Sequence, residues 1–99
     1  MEKYTGEVLT FKLTSGEEVV AKVLGVDSDY VILHDPVSVA PGQHGLGLMA
    51  SMFTADPKAD AILNTKNVTI YAPTDSGVKA KYIEATTGLV VPDKKLILG

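Results

Sequence analysis

The chain has 99 residues, 45% of them hydrophobic, with nine lysines, no arginine, twelve acids and a formal charge of −3. That length makes one domain with a small core, and with no cysteine present neither disulfides nor thiolate metal sites supplement it. The acidic balance repels phosphate and lacks the guanidinium suited to bidentate phosphate and guanine contacts, so nucleic-acid binding has to be local.

Met1 to Glu7 is polar and carries no cleavable signal pattern, and no apolar run approaches the length of a membrane span. A cytoplasmic protein without membrane contact is the expectation. From Val8 to Thr14 the residues alternate, with Leu9, Phe11 and Leu13 on one face and Thr10 and Lys12 on the other, which is the period of a strand. Thr14-Ser15-Gly16 then supplies a tight turn, the glycine taking the positive φ it requires. A Val-rich second strand runs from Glu17 to Val26, and the turn Asp27-Ser28-Asp29 leads into a third, Tyr30 to His34. Asp35-Pro36 interrupts that strand before Val37-Ser38-Val39 resumes the alternation, which fits an edge or a bulge.

Residues 40–59 form an inserted arm. Leu48 with Met52 and Met49 with Phe53 have helical spacing, but Gly45 and Gly47 oppose a long helix. The arm therefore reads as an extended segment or hairpin packed against something, with a neighbouring subunit as one candidate. After the Asp56-Pro57 turn, Ala61 to Leu63 and Val68 to Tyr71 read as two short strands around Asn64-Thr65-Lys66-Asn67, five strands in all. The period then changes to helical over 74–87, capped by Thr74 or Asp75. Val78, Tyr82 and Ala85 form its apolar stripe beside Ile83, and Gly88 stops it. The tail 88–99 holds two apolar triplets about Pro92-Asp93, either a small hairpin or a segment laid on another chain. There is no internal repeat or linker, so residues 1–99 are one domain.

No constellation for catalysis stands out. His34 and His44 have no second ligand at metal spacing, and His34 beside Asp35 reads as a strand residue facing solvent. Asp27-Ser28-Asp29 lacks the glycine and closing glutamate of a calcium loop, and Gly42, Gly45 and Gly47 lack the Lys-Ser or Lys-Thr of a phosphate loop. The Met and Leu residues of the arm read as packing or interface. A non-enzyme without metal or cofactor is expected.

The order of elements, with Leu13-Thr14-Ser15-Gly16-Glu17 in the first turn and Asp27-Ser28-Asp29-Tyr30-Val31-Ile32-Leu33 entering the third strand, resembles the Sm-like (LSm) family. The Asp-x-x-Tyr-Val-Ile-Leu run is similar to the bacterial Hfq branch, and Ala61 to Tyr71 stands where the second, shorter Sm motif would be. The long arm and the helix placed after the fifth strand, rather than at the start, resemble Sm-like proteins of phage and cyanophage origin. The resemblance implies a mainly β fold, a bent five-stranded antiparallel barrel, here with a C-terminal helix. It also implies a homo-oligomeric ring in which the fifth strand of one subunit pairs with the fourth of the next, making Ala61, Ile62, Leu63, Val68, Thr69, Ile70 and Tyr71 the interface residues. In RNA-binding relatives two turns line the ring's pore. Carried over, Asp27, Asp29 and Tyr30 belong to the first, and Lys66 and Asn67 to the second.

Tyr30 would stack on a base and Lys66 meet a phosphate, while Asn67, standing where Hfq has a histidine, would read a base edge or simply close its turn. The implied function is single-stranded RNA binding or RNA chaperoning. The alternative is a structural or assembly ring that binds protein partners without nucleic acid, which the charge composition favours. A phage-encoded protein of this kind would act in the host cytoplasm.

Overall fold

A computed structural model describes residues 1–88. After a 3-10 turn at Glu2–Tyr4, six strands follow: β1 (Val8–Leu13), β2 (Glu18–Val26), β3 (Tyr30–Gly42), β4 (Gly45–Ala50), β5 (Ala61–Asn64) and β6 (Val68–Pro73). A second 3-10 turn, Thr65–Asn67, joins β5 to β6, and one helix, α1 (Ser76–Thr87), closes the described chain. The strands form a single antiparallel sheet in the order β4-β3-β2-β1-β6, with β5 also paired to β3. Because β3 is long, Tyr30 to Leu33 pairs with β5 and Val37 to Gly42 pairs with β4. The sheet does not close: β5 and β6 each pair with one neighbour, and not with each other, among the described residues.

The arm accounts for the sixth strand. Its first part, through Ala50, is a hairpin in which β3 continues past Val39 and Gly42 faces Gly45 across the turn. Gly45 takes φ 109, so the glycine that opposed a helix is the one that permits the reversal. The β1–β2 turn follows the expected chemistry: Gly16 has φ 91, donates to Leu13 O, and leaves the Leu13 N–H to pair with Glu17 O.

Three bulges decide which way side chains point. Between Val20 and Lys22 of β2, the partners on β3 run from Val37 to His34, so β3 carries one extra residue at Asp35-Pro36. Asp35 is the one non-glycine residue with positive φ, 50°, among the described residues. An extra residue in a strand turns every later side chain to the other face. Val31 and Leu33 therefore join Leu9, Phe11, Ala21 and Val23 in one core, while Val37 joins Val20 and Tyr82 in a second core under the helix. A second extra residue, Leu24, lies on β2, where Val23 and Gly25 face the consecutive residues Leu33 and Ile32. The third is Thr69 on β6: Val68 faces Leu13, but Ile70 faces Lys12. Val68 consequently packs against the first core and Ile70 turns outward, 63% exposed.

Asp75 caps α1 by accepting from the Gly77 and Val78 N–H groups, and Gly88 ends it in the left-handed conformation at φ 77. The helix thus begins two residues later than the stripe over 74–87 implies. The buried face also differs: Val78, Tyr82 and Ile83 meet the sheet as expected, but Ala85 is exposed and Ala80 is buried in its place. The apolar triplets expected about Pro92-Asp93 lie outside the described residues.

Tyr82 does more than fill space. Its hydroxyl donates to His34 O at 2.8 Å and accepts from the Lys22 N–H at 3.2 Å. Those two backbone groups lie on β2 and β3 beside the Asp35-Pro36 bulge, where the ladder between the strands loses its register. A buried backbone donor or acceptor without a partner is costly, and one phenol serves both. Burial pushes the Tyr82 phenol up to about 12, against the lowering effect of the Lys22 N–H.

Candidate functional site

Three loops converge at one end of the sheet. The Thr65 N–H donates to Asp29 O at 3.0 Å and its Oγ to Ser28 O at 3.4 Å, joining the β5–β6 turn to the β2–β3 turn. The Thr14 N–H donates to Asn67 O at 2.8 Å, which adds the β1–β2 turn. Asp27, Asp29, Tyr30, Lys66 and Asn67 are thereby carried on loops of the same end, and all five are exposed. Thr65, the first residue of the second turn carried over by the resemblance, is the one that makes this join. Its neighbour Asn64 pairs with Tyr30 across β5 and β3 and accepts from the Lys66 N–H at 2.9 Å, which fixes the second turn.

The electrostatics of this end are mixed. The Ser28 N–H, 2.6 Å from Asp27 Oδ1, and then the Tyr30 hydroxyl hold the Asp27 carboxyl below the usual carboxylate range. The same bond to Asp27 and the charges of Asp27 and Asp29 push the Tyr30 phenol up. Asp27 is therefore ionised and Tyr30 neutral at pH 7. Lys66 makes no ion pair among the described residues, so two carboxylates accompany one free ammonium. What the end offers is an exposed aromatic ring, an amide and one cation within an acidic setting.

Beside it lie the open edges of β5 and β6; β4, paired only with β3, is a third edge strand among the described residues. On β5, Ala61 and Leu63 pack against the first core while Ile62 between them is 70% exposed. On β6, Val68 packs inward, Thr69 and Ile70 are exposed, and Tyr71 is 39% exposed. Tyr71 already has company from its own chain: the Tyr4 ring meets it edge-on at 6.4 Å, and the N-terminal ammonium donates to its hydroxyl at 3.3 Å. Ile62 and Ile70 are the large apolar side chains that these edges leave to water.

His34 lies in β3 with its side chain 46% exposed, and two acids flank its ring. Its Nδ1 lies 3.2 Å from Asp60 Oδ1 and its Nε2 3.2 Å from Asp35 Oδ2, so the ring is clasped between two carboxylates. The acids stand on opposite ring nitrogens and do not converge on a point. Among the described residues no group of three or more His, Asp or Glu is arranged to hold a metal ion. No helix among them is long and apolar enough to cross a membrane. No family model matches the chain, and no curated protein matches its sequence.

Proposed function

We propose that the chain is an Sm-like subunit that assembles into a homo-oligomeric ring, with single-stranded RNA held at the end where the three turns meet. The observation that carries the reading is the pair of open edges. β5 and β6 stand as the fourth and fifth strands once the hairpin strand β4 is set aside, each has one unpaired side among the described residues, and each presents an exposed isoleucine. Two uncovered edges of this kind invite pairing with another chain. Joining β6 of one copy to β5 of the next satisfies both at once, and because that contact is head-to-tail, repetition closes a ring when the rotation between neighbours divides a full turn. The hydrogen bonds from Thr65 to Ser28 and Asp29 support the RNA reading, since they hold Tyr30 and Lys66 on one end of each subunit.

Native mass measurement tests assembly: a mass equal to the monomer overturns the ring. A labelled U-rich single strand tests the ligand. Binding is expected to fall at least about tenfold between about 50 and 200 mM salt, and Lys66→Ala is expected to weaken it. No binding at low salt overturns this part while leaving the ring standing. In that outcome the second reading, a ring that organises protein partners, takes its place. The ionised Asp27 beside Asp29 favours that second reading, because both carboxylates oppose a phosphate backbone.

A further inference from the structure

The two carboxylates on His34 come from different parts of the chain. Asp35, the next residue of β3, stands on the bulge with φ 50, and Asp60 immediately precedes β5, 26 positions from the histidine. Nδ1 meets Asp60 and Nε2 meets Asp35, each at 3.2 Å. A neutral imidazole has one N–H, so it donates to one of these acids and turns a lone pair toward the other. The imidazolium has two and donates to both. The complete clasp is therefore a property of the protonated ring. Other charges approach from β2, α1 and the segment before β1. Lys22 of β2 is the partner of His34 in register, and Lys22, Lys79 of α1 and Glu7 line a cleft together with His34 and Asp35. The two ammoniums oppose a positive ring and Glu7 favours it, but none of the three is hydrogen-bonded to it. Asp56 lines a concavity with Asp35 and Asp60, and its carboxylate accepts from the Lys58 N–H at 2.9 Å. The Tyr82 hydroxyl donates to His34 O and stays neutral, because burial pushes that phenol up to about 12. The two bonded carboxylates are thus what distinguishes the protonated ring from the neutral one.

We infer that His34 is a proton-dependent latch that fastens the start of β5 to the bulge of β3. The neutral ring keeps its bond to Asp35, which is half-buried and adjoins it in the chain, and releases Asp60, which is exposed and stands between the arm and β5. Leu33, directly before the histidine, pairs with Ala61, directly after Asp60, so release acts at the first rung of the β3–β5 ladder. With only four residues in β5, loosening one end reaches much of the strand. Both bonds exist only while the ring carries its second proton and the acids are ionised. The latch is therefore fastened at the acid end of the range of about pH 5 to 8, in which histidines change charge, and opens as pH rises through it. This is a property of the single chain and holds whether or not β5 meets a second copy.

Amide hydrogen exchange of the full chain tests this at about pH 5.5 and about pH 8, each rate divided by that of the unstructured peptide at the same pH. The β5 amides paired with β3 are expected to be about threefold better protected at the lower pH, the scale of one exposed charged hydrogen bond. His34→Gln and Asp60→Asn, at side chains about half exposed, are expected to abolish that difference. His44→Gln, which changes the chain's other histidine in the exposed β3–β4 turn, should keep it. The amides of β1 paired with β2 serve as the reference and should keep one protection at both pH values. Equal β5 protection at both pH values overturns the inference, and so does a difference that survives in either latch variant or vanishes in His44→Gln. A difference of the same size in β1 and β5 overturns it as well, since it reports the stability of the whole sheet.

Discussion

The sheet has defects at two places, and the molecule treats them in opposite ways. Beside the Asp35-Pro36 bulge the interrupted ladder between β2 and β3 is repaired from within, by the Tyr82 hydroxyl bonded to both strands. At β5 and β6 the unpaired edges stay bare among the described residues, with Ile62 and Ile70 outward. A fold that brings a helix and a buried phenol to one irregularity, while leaving the edges of β5 and β6 unpaired, separates what holds the monomer together from what stays uncovered. Disturbing the first place should therefore change stability, and disturbing the second should change association.

The largest effect on stability belongs to Tyr82→Phe. The ring stays, so the second core keeps its packing, but His34 O and the Lys22 N–H lose their shared partner. The expected cost is about 3 kcal/mol, seen as a thermal midpoint lower by roughly 10 °C or more. A midpoint within a degree or two of the parent would mean that water replaces the phenol, and the contrast between the two places would weaken.

Alkaline titration probes the same group without mutation. An acid whose folded pKa lies at about 12 rather than 10 keeps its proton better in the folded state. Its contribution is therefore fully present below pH 10 and is lost as pH rises toward 12. Two units correspond to about 2.7 kcal/mol. Denaturant unfolding measured across that window is expected to show the parent losing stability that Tyr82→Phe has already lost, so the two curves converge.

A smaller effect tests whether the helix itself, rather than its tyrosine, holds the second core. Asp75→Ala removes the acceptor for two N–H groups and is expected to cost about 1 kcal/mol by thermal unfolding. A cost above that of Tyr82→Phe would shift the weight from the phenol to the helix start.

These contrasts also show what was legible in the chain. The strands from Val8 to His34 and the helix could be read because each has one buried face, which writes its period into the residues. β4 could not be read that way. Leu48 is its one half-buried residue, so glycines and apolar residues alternate to no common face and only the pairing with β3 makes it a strand. Asp35-Pro36 announced an irregularity, but not that a tyrosine some fifty positions later would serve it. That is a property of where the bulge leaves backbone groups, and no local pattern encodes it. The five residues proposed for RNA were singled out by resemblance. Their placement at one end depends on Thr65, whose role rests on a hydrogen bond to a turn distant in sequence. Ile70 had the same strand spacing from Val68 as any inward pair, and the extra residue Thr69 turned it outward.

The least effect on the folded monomer, and the clearest on association, is expected from Ile70→Lys. The side chain is already 63% exposed, so the substitution buries no charge and opens no cavity, and the new ammonium stands opposite Lys12, whose own charge is paired with Glu18 at 3.7 Å. Monomer stability at high dilution should stay within about 0.5 kcal/mol of the parent. If β6 pairs with β5 of another copy, a lysine at this point sets an ammonium against the apolar Ile62 region of the neighbour at every contact around the ring. Native mass should then fall toward the monomer. The thermal midpoint should also stop rising with protein concentration, because the linkage between folding and association is gone. A variant that keeps both the parent mass and the concentration dependence would show that this edge is not the joint. The open edges would then be a surface without a partner of their own kind, whereas a loss of mass without loss of fold would separate the two places as the hydrogen bonds do.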